Sequence, residues 1–387
     1  MRFSRSVPRT GPIHKLMSDS VLISELETAN GCRLGHAALN VESTLNALSL
    51  DMVRSLTPAL TRWSQDDSVT AVLITGAGDR AFCAGGDIQA LYRAIVANHD
   101  AGSVVDDYPF RFFEEEYRLD YQIHTFSKPV ITLGHGVVMG GGLGIFGASS
   151  HRIVTEKSRL AVPEITIGLF PDAGGAWTLG NMPAHWASFL GLTGSQINGA
   201  DALLCGLATH AVGHDGRDSV LATLLELPWQ NDADADEALV SEALDALVPP
   251  SMPESALVKI PEREIHRDDL AAEVAATHAL AGASDWVDRG LKNLAHGCPT
   301  TAGIVIEQLR RVVGMSLADT FRLELTVATH CAHNEDFREG VRALLIDKDN
   351  SPQWRFGDLE HLQWDHVLSH FDEPWPEHPL ADLGSSV

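Results

Sequence analysis

The feature that most constrains this chain is a repeated pattern: a β-branched, apolar run that ends in glycines. Residues 69–75 (VTAVLIT) run into Gly76-Ala77-Gly78, and residues 130–133 (VITL) run on into a second set of glycines. Such a run predicts a buried strand, and the glycines predict the turn that follows it. Helix-like periodicity precedes the first run over 48–63, despite Pro58, and separates the two runs over 112–124. Strands that alternate with helices and end in glycine loops predict an α/β fold with its active site at the strand ends.

Beyond Pro183 the texture becomes alanine- and leucine-rich helix. Residues 303–313 and 317–330 predict two helices, the first placing Ile304, Ile306, Leu309 and Val313 along one face. Residues 227–255 are rich in acid, alanine and proline and read as a long solvated excursion. Within it Asp232, Asp234 and Asp236 alternate as at the start of an EF-hand loop. Glu237 and Ala243 stand where that loop requires glycine and glutamate, so no calcium site is expected. The chain divides into a core with the active site over 19–210 and a mainly helical region over 211–387. Residues 1–18 carry Arg2, Arg5, Arg9 and Lys15 without an acid. They read as a disordered or mis-started extension, with an organelle presequence as the competing reading.

The 28 Lys and Arg against 52 Asp and Glu leave a net charge of −24 on 387 residues. Repulsion over the whole surface argues against a nucleic acid or an anionic membrane as partner. An anionic ligand would have to be captured by backbone dipoles and a few cations, with the acids concentrated away from the cleft, notably in 227–255. The five cysteines are scattered and never spaced C-x-x-C, which fits a reducing compartment and no metal site. The longest uncharged stretch, 129–150, contains seven glycines and reads as a buried strand, a turn and a helix start rather than a membrane span.

Gly76, Gly78 and Ala81 spell G-x-G-x-x-A, and Gly142, Gly144 and Gly147 spell G-x-G-x-x-G, with Glu164 about twenty residues on. The first lacks a βαβ unit of ordinary length, and the second overlaps a dense glycine cluster, so a dinucleotide site is not favoured. Two glycine loops can instead aim two backbone N–H groups at one oxyanion, with the start of a helix after Gly140-Gly141-Gly142 adding its dipole. A tight helix–sheet contact would need the same glycines.

Glu164 and Asp172 follow in an apolar frame of Ala161, Val162, Ile165, Ile167, Leu169 and Phe170. Carboxylates held among such side chains gain proton affinity, and two close together tend to split into one acid and one base. A surface glutamate beside a turn is the plainer alternative. Cys83 reads as a small buried thiol, His135 as closing a strand end, and Asp87 as the cap of a helix that begins at Ile88. No G-x-S-x-G nucleophile elbow is present.

The strings ITGAGDRAFCAGGDI (74–88) and KPVITLGHGVVMGGGLGI (128–145) resemble the two oxyanion-hole loops of the crotonase, or enoyl-CoA hydratase/isomerase, superfamily. LNAL (45–48) is similar to its N-terminal acyl-CoA-binding region. Within the superfamily, PEITIGLFPDAGG (163–175), EEEY (114–117) and FREGVRALLIDKDNSPQW (337–354) resemble the branch that hydrolyses 3-hydroxyisobutyryl-CoA in valine breakdown. The likeness covers about 21–359. It implies a crotonase-like spiral of ββα repeats followed by a helical C-terminal region.

The resemblance also implies roles for particular residues. Gly86 and Gly141 fall on the oxyanion donors, Glu164 and Asp172 on the catalytic carboxylates, and Glu116 on a further substrate contact; Gly141, Glu164 and Asp172 contact substrate as well. No metal or redox cofactor is implied, and CoA enters as part of the acyl-CoA substrate. A homo-oligomer is compatible with the resemblance. The compartment is a bacterial cytoplasm, or the mitochondrial matrix if the basic N-terminus is a presequence. One departure matters: the hydratase branch carries a second catalytic glutamate where this chain has Gly144. An isomerase or hydratase is therefore the second reading, and a non-catalytic acyl-CoA-binding protein a third.

Overall fold

A computed structural model describes residues 20–385; the extension expected over 1–18 lies outside them. Ten strands among the described residues form two sheets. They are β1 Val21–Glu27, β2 Arg33–Leu39, β3 Val69–Gly76, β4 Ala81–Cys83, β5 Val130–Gly134, β6 Val137–Met139, β7 His151–Val154, β8 Arg159–Ala161, β9 Ile197–Asn198 and β10 His210–Ala211. The larger sheet has the order β1-β2-β3-β5-β7-β10 and the smaller the order β4-β6-β8-β9.

Each of the pairs β3–β4, β5–β6 and β7–β8 places its first strand in the large sheet and its second in the small one. Neighbours β3, β5 and β7 are parallel, as are β4, β6 and β8. Parallel neighbours need a crossover, and helices supply it. Helix α1, Leu50–Gln65, comes before β3; α2, Ile88–Ala101, and α3, Tyr108–His124, follow β4; α4, Gly141–Ala148, follows β6; α5, Gly175–Gly180, follows β8. The chain thus advances one strand in each sheet per turn, which is the expected spiral of ββα repeats.

The runs that read as buried strands are apolar at every position because the large sheet is covered on both faces. In β3, Val72 and Ile74 join one core with Val130, Ile145 and Phe146, while Ala71 and Leu73 join another with Leu34 and Ile131.

That second core corrects the reading of 227–255. The segment is no solvated excursion: it contains the helix Ala233–Asp245, and Leu227, Trp229, Val240 and Leu244 close over the outer face of the large sheet. Asp236 is buried, accepting from Thr70 Oγ1 and the Gln230 N–H, both at 2.8 Å. Asp232 caps the helix through the Ala235 N–H. The acids on the outer side of this amphipathic helix dominate its composition and hide the few apolar residues that dock it.

The predicted helices near the C-terminus form as Pro299–Arg311 and Leu317–His333. They are no separate body. Phe321 and Leu325 share one core with Phe112, Phe113 and Tyr117 of α3 and with Leu169, Phe170 and Ala173. Thr301 Oγ1 donates to the Leu169 carbonyl at 2.5 Å and Gln308 Nε2 to the Pro171 carbonyl at 2.8 Å. The C-terminal helices therefore hold the segment that carries Asp172.

Candidate active site

The first loop is tied down by the LNAL segment. Leu45 and Asn46 both adopt φ of 57°, in the left-handed region. The buried Asn46 amide offsets that strain by donating to the Ala77 and Ala81 carbonyls, both at 3.0 Å. The Leu48 N–H reaches the Gly85 carbonyl at 2.7 Å. Gly85 and Gly86 are thus held at the end of β4, and Asp87 caps α2 by accepting from the Ala90 N–H, as expected.

The second loop meets the first at Gly140, whose φ of +48° already calls for glycine. A Cβ there would lie 3.2 Å from Gly85 Cα, 3.7 Å from Glu164 Oε1 and 4.0 Å from Gly86 N. Both glycine loops and the Glu164 carboxyl therefore converge on one point. Gly141 opens α4, so its N–H is one of the amides that every helix start leaves free. Among the described residues, neither the Gly86 nor the Gly141 N–H meets an acceptor.

Glu164 begins a short 3₁₀ turn, Glu164–Thr166, and is only 4% exposed. Asp172 is also buried, and its Oδ2 accepts from the Tyr117 hydroxyl at 2.8 Å. Glu116, on α3, is buried against Gly141, where a Cβ would overlap its Oε1. The five residues the sequence singled out thus lie in one region.

Their proton affinities separate in the way two neighbouring carboxyls should. Burial, then the charge of Asp172, pushes Glu164 well above the usual carboxyl range. Burial raises Asp172 too, but the Tyr117 hydroxyl opposes it and the group reaches only about 6. Asp172 is therefore the first of the pair to ionise, and Glu164 the one that keeps its proton longer. Burial and the charges of Asp172, Asp120 and Glu324 raise Glu116.

Three buried neighbours of the site were given no role from the sequence: Tyr117, Asp120 and Glu324. Glu324 accepts from the Gly174 N–H at 2.7 Å and the Ala176 N–H at 2.8 Å, fixing the turn after Asp172. Burial lifts it to about 8 against those two donors. The signal was present in the helical periodicity. Glu116 and Asp120 fall on the stripe of α3 that also buries Phe112, Phe113 and Ile123, and Glu324 falls between the buried Phe321 and Leu325. An acid on an apolar stripe is a buried acid.

Other expectations have simple outcomes. Burial pushes the Cys83 thiol up to about 12, so it is packing and no nucleophile. His135 bonds the Gly78 carbonyl through Nε2 at 2.9 Å. The expected charge asymmetry needs correction. A cleft of about 450 Å³ beside the loops is lined by Leu45, Asp79, Arg80, Gly136, Val137, Lys157 and Arg159, so cations do gather there. Yet five carboxyls, from Glu116, Asp120, Glu164, Asp172 and Glu324, are buried together at the site itself. Burial raises the proton affinity of all five, which favours neutral acids over a cluster of charges.

This has a consequence for stability. Carboxyls raised in the fold above their unfolded values make a contribution to stability that falls as pH rises above the ordinary carboxyl range, while buried histidines lowered by burial, among them His124, His135, His151 and His370 at about 4, contribute in the opposite sense up to about pH 7. Glu324→Gln is expected to improve the urea midpoint at about pH 8 relative to that at about pH 5.5, because it removes a raised carboxyl and leaves the histidine contribution unchanged. The same change of midpoint with pH in both proteins would show that Glu324 is not raised in the fold.

Residues 34–371 match the family described as enoyl-CoA hydratase/isomerase. The chain is 35% identical over 356 residues to a Danio rerio protein named 3-hydroxyisobutyryl-CoA hydrolase, mitochondrial, covering 91% of this chain and 90% of that one. A Homo sapiens protein of the same name is 33% identical over 365 residues, covering 92% and 90%. Among solved structures, a carnitinyl-CoA dehydratase from Mycobacterium thermoresistibile is similar with a TM-score of 0.80 at 32% identity, over 95% of this chain and all of that one. An enoyl-CoA hydratase from Rhodobacter sphaeroides 2.4.1 has a TM-score of 0.77 at 32% identity, over 92% and 98%.

Proposed function

The chain belongs to the enoyl-CoA hydratase/isomerase family, and from that premise we propose that it hydrolyses 3-hydroxyisobutyryl-CoA to 3-hydroxyisobutyrate and CoA, a step of valine degradation. The observation that carries this reading is the pair Glu164 and Asp172 beside two unengaged loop amides, with no side chain at Gly144. A hydratase would need a second glutamate at that position, and here a Cβ would already come within 2.8 Å of both the Ala173 carbonyl oxygen and Asp120 Oδ2.

In the proposed reaction the Gly86 and Gly141 N–H groups receive the thioester oxygen as it becomes negative, each contributing about 3–4 kcal/mol. Asp172, the first to ionise, takes the proton from Glu164. Glu164 then delivers an oxygen to the carbonyl carbon, its own or that of a water it deprotonates. The C–S bond breaks, and the CoA thiolate takes the proton held on Asp172. On the covalent route water next cleaves the glutamyl anhydride. Asp172 also orients the substrate hydroxyl, and Glu116 is a further contact. Arg80, Lys157 and Arg159 at the open cleft suit the CoA phosphates. No metal or redox cofactor takes part, so exhaustive chelation is expected to leave turnover unchanged.

Free-thiol release over a panel of acyl-CoAs tests the reading. Rapid release from 3-hydroxyisobutyryl-CoA is expected. Conversion of an enoyl-CoA without thiol release would replace it with the isomerase or hydratase reading, and binding without conversion with a non-catalytic one. Single turnover in ¹⁸O-water distinguishes the two routes, because only the anhydride leaves label in Glu164. The relatives are named as mitochondrial; for this chain we place the reaction in a bacterial cytoplasm, and location of the tagged full-length chain in the matrix of a eukaryotic host would move it.

A further inference from the structure

Four buried carboxyl oxygens have no hydrogen-bond partner among the described residues: Glu116 Oε1, Glu164 Oε2 and both oxygens of Asp120. The first two belong to the site already described. Asp120 has no part in the proposed reaction. It lies on α3 one turn beyond Glu116 and has no exposed surface.

What faces Asp120 is the space left by Gly144. A Cβ on Gly144 would lie 2.8 Å from Asp120 Oδ2 and 2.8 Å from the carbonyl oxygen of Ala173. Two oxygens therefore face a space too small for a methyl group, which the Ala173 Cβ also lines at 2.9 Å from the same point, and among the described residues no N–H or O–H is bonded to either. If Asp120 were ionised, both would be acceptors, and each would lose its solvation without compensation. As a carboxylic acid, Asp120 carries the one donor that can serve the pair. Ala173 also needs holding, because its φ of 53° is strained for a residue with a side chain and it directly follows Asp172.

The surroundings favour the neutral form. Glu116 and Tyr117 share its helix, Asp172 and Glu324 approach from the turn and the C-terminal helix, and Cys83 faces it from β4. The α4 face opposite, Gly144, carries no charge. Burial and the charges of Glu324 and Asp172 push Asp120 well above the ordinary carboxyl range.

We propose that Asp120 is a positioning residue for the reaction: as a neutral acid it donates its O–H across Gly144 to the Ala173 carbonyl, holds the turn that carries Asp172, and releases that turn when it ionises. The inference rests on the proposed hydrolysis for its kinetic readout only. Activity then has an alkaline limit set by a residue that touches neither substrate nor water.

The pH profiles of kcat and KM for the full chain, Asp120→Asn and Asp120→Leu test this. The asparagine keeps an N–H donor at every pH. Asp120→Asn is expected to retain kcat within about threefold near neutrality and to lose the wild-type alkaline fall. Asp120→Leu, with no donor, is expected to lower kcat by about tenfold or more while KM changes little. A ¹³C-aspartate-sensitive band of a protonated carboxyl should also disappear from the wild-type infrared spectrum on raising the pH from about 8, where Asp172 is already ionised, to about 10, and be missing in Asp120→Asn at about pH 8. An unchanged alkaline fall in Asp120→Asn, a loss as large as that of the leucine variant, or the absence of the band overturns the proposal. Should Asp120→Leu fail to fold, the asparagine profile and the infrared band still decide. A wild-type chain that releases no thiol overturns the hydrolase reading and leaves the infrared band as the test of Asp120.

Discussion

Glu164→Ala and Asp172→Asn each lower thioester turnover by on the order of a hundredfold or more, with the melting temperature close to wild type. Glu164→Ala removes the carboxyl whose Oε1 lies 3.7 Å from a Cβ built at Gly140, where the two loops meet. Asp172→Asn keeps an oxygen that can accept from the Tyr117 hydroxyl, so the turn stays in place, but it removes the group of the pair that ionises first. In the proposed reaction the two residues pass a single proton between them. The double variant should therefore be slower than the worse single one by no more than about threefold, since groups that act as a unit are not additive. Thiol release under saturating substrate measures both statements. Near-wild-type turnover in both single variants would remove these carboxyls from the mechanism.

Gly141→Ala lowers kcat by about 10²- to 10³-fold, the loss expected when one oxyanion donor is disabled. The added methyl would overlap Glu116 Oε1 and lie 3.4 Å from Leu48 Cδ2. What it strikes is the free end of a glutamate, which can turn aside, so the fold survives while the carboxyl is driven over the amide and the substrate contact. Gly142→Ala is the matched control. Its methyl would overlap the Cys83 backbone carbonyl and come within 2.6 Å of the Cys83 Cβ, at the end of β4. That neighbour cannot rotate away, so this variant loses thermal stability or fails to fold. A Gly141→Ala protein that melts early and turns over normally, or a Gly142→Ala protein that melts normally, would invert the assignment of these two glycines.

Much of this arrangement could be read from local pattern. The strands β3 and β5, helices α1 and α3 and the two C-terminal helices lie where periodicity put them, to within a few residues. The glycine loops and the pair Glu164 and Asp172 stood out because glycine and an acid in an apolar frame are unusual on their own. The segment 227–255 misled because composition averages over both faces of a helix. Val240 and Leu244, one turn apart, dock it on the sheet regardless of how many acids face the water. Asp120 and Glu324 are inconspicuous for a related reason: a helical stripe is marked by its apolar members, and one acid among them does not change the period.

The sequence by itself determined the alternation of strand, glycine loop and helix, the excess of acid over base, and the chemistry available at each position, because these depend on neighbours a few residues away. Which carboxyls share a proton was decided only by the tertiary structure. Glu116 and Asp120 come from α3, Glu164 and Asp172 from the segment after β8, and Glu324 from a C-terminal helix far along the chain. The order in which they ionise rests on burial and on charges acting through space. Neither quantity exists until the spiral and the C-terminal helices have packed around Gly144.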